Sequence, residues 1–248
     1  MMNTALVIQA RTGSTRLPDK MILPFDEDKG IFEILLEKIT EKYPNYPFFL
    51  ATTTNENDDI LVQIAQKYKV QIYRGSENNV LSRFVAVGSK FGFENLVRIC
   101  ADNPFLEVDH IQQLIEQIAF GEYDYVSYKN ENNLPVIKTH LGLFTEAVSL
   151  TALQKVQLLT GQSVYLEHVT NYIYEHPEIF KIKLLDLPDY IKNNNGIRLT
   201  LDTAEDFELE KELYAKYKNK SVKELVSIIK NDKKILNLMQ KQIAQNEK

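Results

Sequence analysis

Residues 5–20 decide the fold: Ala5-Leu-Val-Ile-Gln-Ala10, then Arg11-Thr-Gly-Ser-Thr-Arg-Leu-Pro-Asp-Lys20. A short, mostly apolar run ended at once by a polar, glycine-containing loop is the pattern of a central parallel strand, covered on both faces. In a parallel sheet, the loop at the carboxyl end of the first strand faces the ligand crevice. This loop sets Arg11, Arg16 and Lys20 against one carboxylate, Asp19. Gly13 lets a ligand approach the backbone closely, Thr12, Ser14 and Thr15 offer hydroxyls, and the three cations suit a polyphosphate. An exposed basic loop would read the same way. The spacing is neither that of the Walker loop nor that of the Gly-x-Gly-x-x-Gly dinucleotide turn.

Outward from this loop, strand and helix patterns alternate. Helical periodicity over 30–42, 57–68, 79–91 and 108–120 separates apolar runs at 47–52, 70–73, 95–100 and 123–127. The alternation predicts an α/β protein whose mainly parallel central sheet is flanked by helices on both faces. Past Asn130 the rhythm breaks. Strands are expected at 141–144, 180–185 and 197–201, and helices at 163–175 and 203–217.

The chain of 248 residues is 44% hydrophobic and 25% charged, ordinary globular values that argue against disorder or a fibrous repeat. One cysteine, Cys100, cannot form an internal disulfide, so a reducing cytoplasm is the expected location. No apolar run reaches the length of a membrane span or of a signal-peptide core, so no membrane insertion is expected. A net charge of −5 gives no general pull toward nucleic acid. The expected organisation is a main domain over 1–217 and an amphipathic helical extension over 218–248. In the extension eight lysines face three acidic residues, with Val222, Leu225, Val226 and Ile229 on one stripe. That stripe would pack on its own chain or on a partner subunit, as in a homodimer.

Two carboxylates stand at the ends of further candidate strands. Asp102 lies in Cys-Ala-Asp-Asn-Pro, and Asp202 ends Arg-Leu-Thr-Leu-Asp ahead of a helix start marked by Thr203 and Asp206 in capping-box spacing. Two such carboxylates suit Mg²⁺, which takes one or two from protein and the rest of its ligands from phosphate and water. An Asx turn at Asp102 and a dipole-stabilised helix start at Asp202 are the alternative readings.

The stretch IQARTGSTRLPDK resembles the Gln-Ala-Arg-x-Gly-Ser-x-Arg-Leu-Pro-x-Lys signature of the cytidylyltransferase family that includes the F-type spore-coat polysaccharide biosynthesis proteins. It is more distantly similar to the CMP-3-deoxy-manno-octulosonate and CMP-sialate synthetases. LATTTNENDD, YRGSENNVLSRF, VRICADNP, LEHVTNYIYEHPE and RLTLDTAEDFEL resemble successive blocks of the family in order, over roughly residues 4–210. The resemblance implies a nucleotidyltransferase sandwich of Rossmann-like form and transfer of CMP from CTP to a small acidic or phosphorylated acceptor, with release of pyrophosphate. By the same resemblance Arg11, Ser14, Arg16 and Lys20 grip the triphosphate, Asp102 and Asp202 hold Mg²⁺, and Arg74 contacts the cytidine. Departures gather elsewhere. Phe144 stands in Gly142-Leu-Phe144-Thr-Glu146 where relatives carry aspartate, Asp19 replaces glycine in Leu-Pro-Gly-Lys, Ala101 replaces glycine before Asp102, and Leu166 replaces an arginine. Phe144 and Glu146 are therefore expected on the acceptor side. A nucleotide-binding subunit that has lost transfer activity along with the acceptor-side acid is the alternative to an enzyme.

Overall fold

The computed structural model describes residues 3–192 and 196–246. Residues 1–2 and 193–195 of the expected 1–217 span, and 247–248 of the expected extension, lie outside the described residues. The elements run β1 (Thr4–Gln9), α1 (Ile31–Lys42), β2 (Phe48–Thr53), α2 (Asp59–Lys67), β3 (Gln71–Gly75), α3 (Val80–Phe91), β4 (Asn95–Cys100), α4 (Ile111–Ala119), β5 (Tyr125–Lys129), β6 (Glu146–Ser149), α5 (Leu150–Leu159), α6 (Ser163–Glu167), α7 (Asn171–Glu175), β7 (Ile182–Asp186), α8 (Ala204–Tyr217), α9 (Val222–Asn231) and α10 (Lys233–Gln245).

The strands form one sheet in the order β3-β2-β1-β4-β6-β5-β7. All neighbours pair parallel except β6, which is antiparallel to both β4 and β5. Side chains alternate between two cores because successive strand residues point to opposite faces. Leu6, Ile8, Leu50, Val97 and Ile99 meet α1, α2, α4 and α8 to α10 on one face. Ala5, Val7, Phe49, Ala51 and Leu96 meet α3, α5 and α7 on the other. The chain runs outward from β1 through β2 to β3, then returns to β4 on the opposite side of β1. The gap between the carboxyl ends of β1 and β4 is thus the topological switch point, where open α/β sheets gather ligands.

The expected order holds through β5, with strand edges moved by one or two residues. Beyond it three expectations are corrected. Residues 141–144 are a loop rather than a strand: Gly142 has φ +63°, and a Cβ there would sit 1.9 Å from the carbonyl oxygen of Leu199. Pairing starts instead at Glu146. The 197–201 segment is extended and hydrogen-bonded, Leu199 N–H to His140 O and Leu201 N–H to Asp102 O, yet it joins no strand of the sheet. The helix expected over 163–175 is broken at 168–170 into α6 and α7. The helix α5 has no counterpart in the sequence reading, because its apolar residues are not confined to one stripe: Leu153 and Val156 are buried while Leu158 is 87% exposed. In the C-terminal part, Leu225, Val226, Ile229 and Met239 pack into the larger core of their own chain. No helix among the described residues is long and apolar enough to cross a membrane.

Candidate active site

The loop after β1 is fixed from below by Asp58. Its carboxylate is buried in the turn before α2 and accepts from the Thr12 amide and hydroxyl (2.8 Å each), the Thr52 hydroxyl (3.0 Å) and the Thr53 hydroxyl (2.5 Å). Burial pushes this carboxyl up, but the donors from Thr53, Thr12 and Thr52 outweigh it and hold the group below the ordinary aspartate range. Farther along the loop, Asp19 sits at φ +57° with its amide donating to Thr12 O. Aspartate is among the few L residues that tolerate this left-handed conformation, which accounts for its standing where relatives carry glycine.

Lys20 joins the two carboxylates singled out by the sequence. Its Nζ donates to Leu201 O (2.6 Å) and lies 3.4 Å from Asp102 and 3.8 Å from Asp202. Arg16, more than half exposed, reaches Asp202 at 3.1 Å. The loop after β1, the end of β4 and the segment before α8 therefore converge at the switch point. Behind Asp202 lies Arg198, which is fully buried. It donates to both oxygens of Asp206 (2.7 and 2.6 Å), to Asp202 (3.2 Å) and to the imidazole of His140. Asp206 also caps the Asp202 and Thr203 amides (2.9 Å each). Burial raises the Asp206 carboxyl, yet the Arg198 guanidinium and these amides bring it below its usual range. Below them Glu210 is sealed, with neither oxygen hydrogen-bonded among the described residues, and burial followed by the like charge of Asp206 drives its carboxyl well above the normal range toward the neutral form.

The other expected residues are placed as follows. Arg11 spans the crevice mouth between Glu77 (3.3 Å) and Glu167 (3.5 Å). Gly13 is exposed, and the Ser14 hydroxyl lies 3.5 Å from the Leu17 amide within the loop. Arg74 is turned to the β2–α2 connection: it donates to Thr53 O and Asn55 O (2.7 Å each) and pairs with Asp59 (2.5 Å). The two residues expected on the acceptor side are buried. Phe144, 4% exposed, packs between His110 (5.1 Å) and Tyr128 (4.8 Å) in the larger core. Glu146 is wholly buried, paired with Arg98 (2.6 Å) and accepting from Tyr125 (2.5 Å) and Thr170 (2.7 Å).

Three polar residues escaped the sequence reading as site groups: Asp58, Arg98 and Arg198. Arg98 and Arg198 carried a signal, since a cation inside an apolar run survives only when its partners are buried with it. Arg83, on α3, is 2% exposed and donates to Ala51 O (3.1 Å), while its Nε finds no partner among the described residues. Burial, then the nearby Arg11 charge, lowers its pKa to about 10.

With this geometry in place, likeness to known proteins takes on specific content. The sequence profile of the family described as Cytidylyltransferase matches residues 5–242. The chain belongs to this family. An uncharacterized protein of Methanocaldococcus jannaschii is 36% identical over 234 residues, covering 94% of this chain and 92% of that protein. Spore coat polysaccharide biosynthesis protein SpsF of Bacillus subtilis is 32% identical over 239 residues, covering 92% and 95%. A solved cytidylyltransferase from Leptospira borgpetersenii superposes with a TM-score of 0.82 at 27% identity, covering 97% of this chain and 98% of that one. The cytidylyltransferase match takes in α9 and most of α10 as well as the sheet.

Proposed function

We propose that this cytidylyltransferase transfers CMP from CTP to an oxygen of an acidic or phosphorylated sugar, supplying an activated precursor for surface glycan synthesis. The acceptor oxygen bonds to the α-phosphorus, the bond from that phosphorus to the bridging oxygen breaks, pyrophosphate leaves, and the acceptor proton passes to solvent. One observation carries the reading: two cations of one loop, Arg16 and Lys20, and two aspartates from distant segments meet where β1 and β4 end. Membership of the family supports the choice of cytidine nucleotide, and the printed role of SpsF in spore coat polysaccharide biosynthesis supports the glycan destination.

Phosphoryl transfer is mostly positioning and electrostatics, so a site with no Ser-His-Asp or Cys-His pair is sufficient. In this reading Arg11, Arg16 and Lys20 hold the triphosphate and take up charge on the leaving pyrophosphate, Gly13 and Ser14 let it lie close to the backbone, and Arg198 with Asp206 fixes the carboxylate of Asp202. Among the described residues no three His, Cys, Asp or Glu side chains form a metal cluster. Asp102 and Asp202 nevertheless converge on one ammonium group, two hard oxygen donors of the kind Mg²⁺ takes from protein while keeping phosphate and water as its other ligands. Bound there, the ion would neutralise charge at the phosphorus under attack. The test is pyrophosphate release from CTP, compared with ATP, GTP and UTP, across acidic-sugar and sugar-phosphate acceptors with and without Mg²⁺. Turnover with another nucleotide in preference to CTP would overturn the assignment.

A further inference from the structure

A cavity of about 530 Å³ lies between the C-terminal half of α1, the 105–109 segment and the α8–α9 junction, away from the crevice. That volume falls within the roughly 300–1,000 Å³ usual for small-molecule sites. Phe105, Tyr214 and Tyr217 supply aromatic wall, and Lys38 and Glu107 supply charge. Lys38 is the informative residue. Its Nζ lies 5.2 Å from the centre of the Tyr214 ring, and its hydrogen-bond partner is a carbonyl, that of Pro104 at 3.0 Å, rather than a carboxylate. Two neighbouring lysines of the lining are already neutralised, Lys42 by Asp109 and Lys218 by Asp26. Burial, partly offset by Glu107, lowers the Lys38 pKa to about 8. Glu107 acts on this ammonium without forming an ion pair with it among the described residues, so a half-buried charge beside aromatic rings is left that an anion would stabilise.

We propose that this cavity is a second small-molecule site, taking a nucleoside phosphate with its phosphate on Lys38 and its base against the Tyr217 ring. The planar base matches the aromatic contact that the half-buried Tyr217 ring can make, Tyr214 being already enclosed by Phe25, Phe105 and Lys38; a phosphate gives Lys38 a charge-assisted partner, and Glu107 offers an acceptor for ribose hydroxyls. The experiment is backbone amide NMR of the full chain, titrated separately with CMP and with inorganic phosphate into the millimolar range. CMP is expected to shift the amides of 105–109 and 217–222 at the cavity, with phosphate reproducing only part of the set. Lys38→Met keeps the apolar stem in place and is expected to weaken the cavity shifts at least tenfold, while Lys38→Arg retains them. Amides of 11–20 report the crevice independently, so failure at one site is distinguishable from failure at the other. Absence of cavity shifts with CMP, a full set with phosphate alone, or shifts unchanged in Lys38→Met would each overturn the proposal.

Discussion

Charges at the carboxyl ends of β1 and β4 and charges beneath β6 are handled in opposite ways. Around the crevice, Arg11 and Arg16 remain a third or more exposed and hold their acidic partners at 3.1 to 3.5 Å, one contact to each oxygen. Beneath β6, Arg98 and Glu146 are sealed, and Glu146 also takes hydroxyls from Tyr125 and Thr170. An exposed pair is worth little and exchanges readily for a ligand, whereas a buried pair that loses one member leaves a charge in a medium that cannot solvate it. The crevice charges are thus able to exchange partners, whereas the sealed pair holds the scaffold.

The largest effect should come from breaking the sealed pair. Glu146→Ala leaves Arg98 unpaired and is expected to cost about 3–5 kcal/mol in urea unfolding. A loss below 1 kcal/mol would show that the pair is wetter than the structure describes. Next is Asp58, whose removal as Asp58→Asn exchanges an acceptor for a donor facing several hydroxyls and amides, at a cost of about 1–3 kcal/mol at neutral pH. Because its folded pKa is depressed, its stabilisation is complete above the unfolded value of about 4 and disappears as pH falls through the lower folded value. Unfolding curves of wild type should therefore weaken in that acid window more steeply than those of Asp58→Asn.

On the exchangeable side, Arg16→Ala should weaken CTP binding or turnover at least tenfold, about 1.4 kcal/mol, without altering the melting temperature. Unchanged kinetics in a folded variant would return the loop to a solvated surface. The smallest effect belongs to Asp19. Asp19→Gly relieves left-handed strain but adds freedom to the unfolded chain, so the two terms offset to within about 0.5 kcal/mol. Asp19→Val, β-branched at the same φ, should cost about 1–2 kcal/mol more by thermal melts.

The two regions also differ in how far they could be read from sequence. Strands β1, β2 and β4 are buried on both faces, so their apolar runs stand out, and the site residues follow them directly in the chain. Asp102 declared itself by ending the run of β4, and Asp202 by ending an apolar run at 197–201 that is extended but joins no strand of the sheet. Beyond β5 the chain achieves burial with loops: Leu141, Leu143 and Phe144 are core residues on irregular backbone, forced there by Gly142, and they imitate a strand. The break between α6 and α7 depends on Thr170 donating to a carboxylate distant in sequence, a contact that no local periodicity encodes. Arg198 and Arg98 were visible only as anomalies within apolar runs, since their partners are assembled by the fold.

The position of Arg11 makes the two halves of the crevice thermodynamically linked. Its guanidinium ties Glu77, after β3, to Glu167 on α6, a helix of five residues that is too short to persist without tertiary contacts. In the reading proposed above, a triphosphate that claims Arg11 would release Glu167, so nucleotide binding would work against the ordering of α6, and by reciprocity an ordered α6 would work against the nucleotide. Amide exchange over 163–175 should then accelerate when CTP is added, and Glu167→Gln should bind CTP more tightly than wild type. Slower exchange on CTP addition would break the link. If it holds, the acceptor would meet its side of the crevice at its most pliable only after CTP has arrived, an order of addition imposed by one shared side chain.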